Sequence, residues 1–401
     1  MRRSRREGID YVTSFPVHRA RVANLSRAAL FLALAACAAP QAPAQLAPMV
    51  VAIAAPRTAL PSEAASAGIT KFSFVAYGDT RNANDGRFPQ EAHGWVVASV
   101  LKTVASLASG PDPVRFVLQS GDAVVNGRDG NQLNVSFRPL INRITTKAGV
   151  PYFFTAGNHD VTSSMDTQNP IRQTGLDNLL AANRLLFPPE GSPRRLNGYP
   201  TYAFGYGNTF VLTFDSNIAG DSTQFNWVRS QLEGLDRSRY VNIVAFCHHP
   251  VWSSGPHGGP NLEPSTAALR DFYLPLFRRH HVKLLLAGHD HLFEHWVERY
   301  VDSSGAHRFD EIVSAGGGAP IYTYSGEPDL SDYLASGAAE RVRVEHLIRP
   351  SADTLENPHH YLVIHVDGER MRVEAVGVGW GSRFAPYPKG GLMLRDSTGA
   401  P

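Results

Sequence analysis

The sequence predicts an α/β fold with a mixed-sheet core flanked by helices, and three observations carry that prediction. Short apolar runs recur along the chain and stop at polar clusters, as buried strands do. One pair of runs brackets an amphipathic helix, which is the pattern of a parallel crossover. Two further pairs bracket glycine-bearing turns, the pattern of antiparallel hairpins.

Taken from the N-terminus, the first 36 residues carry seven arginines (Arg2, Arg3, Arg5, Arg6, Arg19, Arg21, Arg27) against Glu7 and Asp10. A basic start, an apolar run from Ala28 to Ala36 and a small-residue exit read as an export signal. The run is too short to span a bilayer. Leu34-Ala35-Ala36-Cys37 matches a lipoprotein cleavage box, with simple cleavage nearby as the alternative. The expectation is therefore an exported chain, periplasmic or anchored in a bacterial outer membrane, with a lipidated Cys37 as its membrane contact. Lipidation would leave Cys247, the other of the two cysteines, without a partner. The long basic lead also suggests a start codon further on, near Val12 or Val22. Taking seven of 38 basic and two of 36 acidic residues away leaves 31 against 34, so no basic footprint for duplex nucleic acid survives.

From 37 to 68 the chain is rich in alanine and proline and reads as a tether; 69–380 reads as the folded domain and 381–401 as a tail. With 43% hydrophobic and 18% charged residues, the 401-residue chain is neither disordered nor membrane-spanning in composition. The strand candidates are Phe72 to Tyr77, Val114 to Gln119, Tyr152 to Thr155, Asn242 to Cys247 and Val282 to Ala287. A helix opened by Pro89 lies between the first two, with Val97, Val100, Val104 and Leu107 at helical spacing. Hairpins are predicted for Thr201 to Phe204 with Thr209 to Phe214, and for Tyr361 to Val366 with Arg370 to Val376. The stretches 161–200 and 319–359 are polar or Pro/Gly-rich and read as long loops.

The clusters that follow these strands are rich in metal-ligand types. They are Gly78-Asp79-Thr80-Arg81, Ser120-Gly121-Asp122, Gly157-Asn158-His159-Asp160, His248-His249-Pro250 and Gly288-His289-Asp290-His291. Side chains converge where strands leave a sheet, so five such clusters in succession point to one site. One Gly-Asp alone would be a turn or a helix cap.

The order and content of these blocks, from about Phe72 to Ala319, resemble the calcineurin-like metallophosphoesterases. Gln224, Trp227 and Leu232, and the glycine-rich Ser314 to Pro320, fit the same resemblance. It implies a four-layer αββα sandwich of two mixed sheets, and two divalent or trivalent metal ions, manganese, iron or zinc. It also implies hydrolysis of a small-molecule or polymer-linked phosphate ester. Carried over residue by residue, Asp122 bridges the ions, Asp79 and His291 complete the first, and Asn158, His248 and His289 hold the second. A hydroxide between the ions would attack phosphorus, helped by His159, with Asp160 orienting His159 through its other ring nitrogen.

Two positions depart from the family pattern. Arg81 stands where most members have a histidine ligand, and a guanidinium cannot ligate a cation. His93, in the first turn of the next helix, is a replacement ligand, a core histidine or a phosphate contact, and Arg81 a phosphate contact or an ion-pair partner. Val125 stands where the purple acid phosphatases carry a tyrosine that binds ferric iron. Asn126, His249, Trp252 and His257 are expected beside the pocket, as substrate contacts or as packing. Glu294 and His295 are expected on a helix or loop surface. The competing function is a non-catalytic binding protein with a degenerate first metal site; lipid or cell-wall phosphates are a further substrate class without residue-level support.

Overall fold

The computed structural model describes residues 49–258, 262–324 and 326–394. Its strands are β1 (Lys71–Tyr77), β2 (Val114–Gln119), β3 (Tyr152–Phe154), β4 (Tyr202–Tyr206), β5 (Thr209–Thr213), β6 (Asn242–Phe246) and β7 (Leu284–Ala287). They continue as β8 (Phe293–Asp302), β9 (Gly305–Ser314), β10 (Arg343–Ile348), β11 (His359–Asp367), β12 (Arg370–Val378) and β13 (Leu392–Leu394). They form a six-stranded sheet in the order β13-β12-β11-β1-β2-β3 and a seven-stranded sheet in the order β10-β8-β9-β7-β6-β5-β4. Each sheet is mixed. β1, β2 and β3 run parallel, as do β5, β6, β7 and β9, while the flanking pairings are antiparallel.

Side-chain alternation assigns the layers. In β5 and β6, Phe210, Leu212, Ile243 and Ala245 join one apolar cluster, while Val211, Val244 and Phe246 join another. The first cluster packs under Val228 and Leu232 of the helix Ser222–Glu233 and under Tyr273, Leu274 and Phe277 of the helical run 264–279. The second lies between the sheets, where Phe204 of β4 meets Phe153 stacked at 4.1 Å and Phe116 edge-on at 5.3 Å. On the outer face of the six-stranded sheet, the helix Glu91–Leu107 buries Val96, Val97, Val100 and Val104 against β11 and β12. The expected four layers, helix, sheet, sheet and helix, are present.

Several boundaries differ from expectation. Residues 49–68, read as part of a tether, pack on the domain: Val50 and Ile53 lie in the core, and the Ile53 N–H donates to the Ala182 carbonyl at 2.9 Å. Small residues and prolines suit a closely apposed strap as well as a free linker. The tail is also partly built in, since β13 pairs with β12 and the buried Tyr387 hydroxyl meets His295 Nδ1 at 2.9 Å. The expected leader and Cys37 lie outside the described residues. Within the two long loops sit a helix, Pro170–Asn183, whose buried Arg172 pairs with Asp215, and the strand β10. Strands β8 and β9 escaped sequence reading because polar residues face inward. Glu294 and His295, expected on a surface, are fully buried on β8. Glu294 accepts from Ser253 and Ser254, and His295 pairs with Asp310.

Candidate functional site

Five strands deliver the clusters to one edge of the sandwich. β1, β2 and β3 of the six-stranded sheet lead to Asp79, Asp122 and Asn158-His159; β6 and β7 of the other lead to His248 and His289-Asp290-His291. Backbone bonds between loops hold them in register. The Asp79 N–H donates to the Gly121 carbonyl at 3.0 Å, the Gly288 N–H to the His248 carbonyl at 2.9 Å, and the His289 N–H to the Asp79 carboxylate at 3.0 Å. Close approach requires glycine: a Cβ on Gly157 would lie 2.2 Å from Asp122 Oδ1, and one on Gly288 2.2 Å from Asp79 Oδ2.

The six expected ligands come together. Asp79, Asp122 and His248 are fully buried and offer ligand atoms within 4.8 Å of one another. His248 Nε2 stands 3.5 Å from Asp122 Oδ1, 2.9 Å from Asn158 Oδ1 and 3.2 Å from His289 Nδ1. His291 Nε2 stands 3.5 Å from Asp79 Oδ1.

The tautomers follow from the outer partners of each ring. His248 Nδ1 donates to the Ser120 carbonyl, His291 Nδ1 to the Pro320 carbonyl and His289 Nε2 to Glu263 Oε2, each at 2.8 Å. That leaves an unprotonated nitrogen of every ring pointing inward, lone pair toward lone pair and toward carboxylate oxygens. Acceptor facing acceptor at such distances is unfavourable without a cation between them, so the donor set fits metal ions. The electrostatics agree. Burial, reinforced by neighbouring histidines, pushes the His289 pKa well down and keeps the ring neutral. Burial works against ionisation of Asp122, yet the Arg81 guanidinium and the His159 backbone N–H hold its carboxyl below the usual range.

The remaining predicted residues divide. Arg81 reaches the site: Nε donates to Asp122 Oδ2 at 3.1 Å, and an Nη atom lies 3.4 Å from His291 Nε2 and from the Tyr322 hydroxyl. His93 does not. Its ring is fully buried, with Nδ1 against Gln90 Oε1 at 2.8 Å and Nε2 against the Tyr77 hydroxyl at 3.2 Å, and it stacks near Phe137. It is a satisfied core histidine, and the place of the missing ligand is taken by Arg81 itself.

His159 is half-buried beside Asp122, to which its backbone N–H donates at 2.9 Å. The expected orienting role of Asp160 is not what the structure has. His159 Nδ1 meets the Val125 carbonyl at 2.9 Å, whereas Asp160 accepts the backbone N–H groups of Asp122, Ala123 and Gly157. A carboxylate next in sequence has its side chain turned inward to tie the loops.

Sequence reading missed two contributors. Glu263 receives His289 and also pairs with His257 at 2.8 Å; this hydrogen bond raises the His257 pKa. Tyr322 stacks on His291 at 4.2 Å. Neither belongs to a strand-end cluster, and no spacing pattern marks them. His249 lies behind His289, with its Nδ1 on the Ser216 hydroxyl. Trp252 is packing, between Phe309 and Tyr333, and Asn126 caps its own turn through Gln132 and Arg128. A cavity of about 640 Å³ bounded by Leu60, Phe153, Phe187 and Phe204 shares none of these residues, and its one lining carboxylate, Glu63, is held by Arg194 and Tyr240.

Fold and site together define a protein of the metallo-dependent phosphatase class. The family model for calcineurin-like phosphoesterases matches residues 74–293, and the chain belongs to that family. Among curated proteins it is 26% identical over 190 residues to the probable purple acid phosphatase 20 of Arabidopsis thaliana, covering 46% of this chain and 39% of that protein. It is 28% identical over 197 residues to purple acid phosphatase 1 of Ipomoea batatas, covering 46% of this chain and 37% of that one. The chain thus matches under two fifths of the length of either relative. Among solved structures, the purple acid phosphatase PPD1 from yellow lupin (Lupinus luteus) seeds superposes with a TM-score of 0.54 at 16% identity, over 80% of this chain and 53% of that one, a likeness of fold.

Proposed function

We propose that the chain is a phosphoric ester hydrolase whose centre holds up to two metal ions. The observation that carries this reading is the convergence of unprotonated imidazole nitrogens on the Asp79 and Asp122 carboxylates, with every outer nitrogen engaged. Asp122, Asn158, His248 and His289 would hold one ion, and Asp79, Asp122 and His291 the other. When bound, such ions supply Lewis acidity toward phosphoryl oxygens and make nearby water more acidic.

The chain's own groups supply the rest. Arg81 presents its guanidinium beside Asp122 and His291, where it would orient two phosphate oxygens as a planar fork. His159, with Nδ1–H held by the Val125 carbonyl, leaves Nε2 to carry a proton to the leaving-group oxygen. The substrate is proposed as a small-molecule or polymer-linked phosphate ester, met outside the cytoplasm if the arginine-rich leader acts as an export signal.

Metal analysis paired with turnover of nitrophenyl phosphate tests this. The native protein should carry metal and turn over, and Asp122→Ala should lose turnover together with the metal held at this centre. A native protein that binds one ion or none and shows no turnover with mono- or diesters under manganese, zinc or iron supports the binding-protein reading instead.

A further inference from the structure

We propose that the far end of the β8–β9 hairpin carries a second, separate metal site, formed by His281, Asp302 and His307 and suited to a zinc-class divalent ion. β8 starts two residues after His291 and runs ten residues to Asp302, so this end lies about 30 Å along the strand from the centre described above. The three residues come from three segments. His281 sits in the turn before β7, Asp302 ends β8, and His307 lies in β9.

Asp302 divides its carboxylate between the two rings. Oδ2 faces His281 Nε2 at 2.8 Å, and Oδ1 faces His307 Nε2 at 2.9 Å. The Ser304 N–H and hydroxyl both approach Oδ1 at 2.7 Å and fix its direction, and the same hydroxyl lies 2.9 Å from His307 Nε2. The imidazole planes stack at 4.0 Å and 13°. His281 occupies this place at φ 50°, a left-handed position after a helix where glycine is the unstrained choice.

Simple ion pairing accounts poorly for this arrangement. Two imidazolium rings at stacking distance repel one another, and a neutral His307 adds little at Oδ1, which Ser304 already satisfies. A divalent ion removes both objections, because each ring can keep its proton on Nδ1 and offer the Nε2 lone pair. Two imidazoles with one carboxylate form a donor set of zinc type. Tetrahedral zinc ligands stand ~3.3 Å apart, so the present contacts need to open by only about half an ångström. With side-chain exposures of 36%, 35% and 20%, the cluster is open to water, one molecule of which would complete a tetrahedral coordination. The bound ion would staple the hairpin end to the turn that precedes β7.

The test is equilibrium dialysis of the full-length protein against zinc, with bound metal counted per chain, for the native chain, Asp122→Ala, and the double variant His281→Gly, His307→Gln. Glycine suits the left-handed backbone and glutamine keeps a polar strand residue, so the double variant should fold; circular dichroism and unchanged nitrophenyl phosphate turnover check this. Asp302→Asn, which alters neither histidine, is a second probe. The expected result is one zinc per chain fewer in the double variant than in the native protein, an equal deficit when the double variant is made on Asp122→Ala, and at least tenfold weaker zinc binding at this site in Asp302→Asn. Equal zinc content in the native and doubly substituted proteins overturns the proposal, whatever becomes of the other centre.

Discussion

Asp160 ties two of the site loops together, and its removal offers a sharp test of how the site is built. Oδ2 accepts the N–H groups of Asp122 and Gly157, both at 2.8 Å, and Oδ1 that of Ala123 at 2.9 Å. Asp160→Ala leaves three buried donors without an acceptor. At ~1–3 kcal/mol for each orphaned donor, and with water entering the vacated space, a loss of about 3–6 kcal/mol is expected. One of those donors belongs to Asp122, whose φ of 56° this bond helps to hold, so metal content should fall along with stability. Asp160→Asn retains one acceptor oxygen and turns an amide nitrogen toward an N–H, for which ~1–3 kcal/mol is expected. Urea unfolding followed by tryptophan fluorescence, with metal analysis of the same samples, reads both effects. If Asp160 instead oriented His159, the alanine variant would keep its midpoint and its metals and lose only rate. That outcome refutes the reasoning.

Three other perturbations follow from the geometry. Arg81→Ala removes a charged hydrogen-bond donor from the phosphate side, worth ~1.5–3 kcal/mol, and should lower kcat/KM about 10- to 100-fold; Arg81→His should raise metal content toward two per chain, read by elemental analysis. Glu263→Gln removes the carboxylate behind His289 and should weaken metal binding about 10- to 100-fold in a chelator competition. Burial, then nearby Arg143, pushes His93 down to about 3 from 6.5, so as pH falls below 6.5 the unfolded chain takes up the proton first. That contribution to stability is complete above pH 6.5 and is lost progressively toward pH 3, at up to ~1.4 kcal/mol per pH unit. His93→Gln should therefore show a shallower acid dependence of its unfolding midpoint over that interval.

The ligand blocks were legible because each sits directly after an apolar strand, where period and punctuation coincide. Strands buried on both faces, such as β1 and β6, read as continuous apolar runs, and the clusters at their ends stand out. β8 was not legible for the opposite reason. Its buried positions include Glu294 and His295, and only the three-dimensional partners Ser253, Ser254 and Asp310 make their burial tolerable. Asp160 was assigned the wrong partner because adjacency in sequence says nothing about side-chain direction in a tight loop. Glu263 belongs to no cluster that ends a strand and becomes visible only once His289 has a place.

What unites the site is strain held by mutual bonding. Asp79, Asp122 and His289 adopt φ of 60°, 56° and 74°, and they are three of the five non-glycine residues with positive φ among those described. Such conformations cost ~1–3 kcal/mol each and persist only where neighbours over-determine them. Here the neighbours are one another. Asp79 accepts the His289 N–H, Asp160 accepts the Asp122 N–H, and Gly121 accepts the Asp79 N–H. Because Asp79 leaves one sheet and His289 the other, the first of these bonds spans the sandwich, the other two tie neighbouring loops of one sheet, and together they fix the donor positions before any ion binds. The inward lone pairs then oppose one another, so the unfavourable electrostatics fall on the same residues that carry the backbone strain. A cation relieves the first without needing to change the second, which is the arrangement expected of a preorganised metal centre.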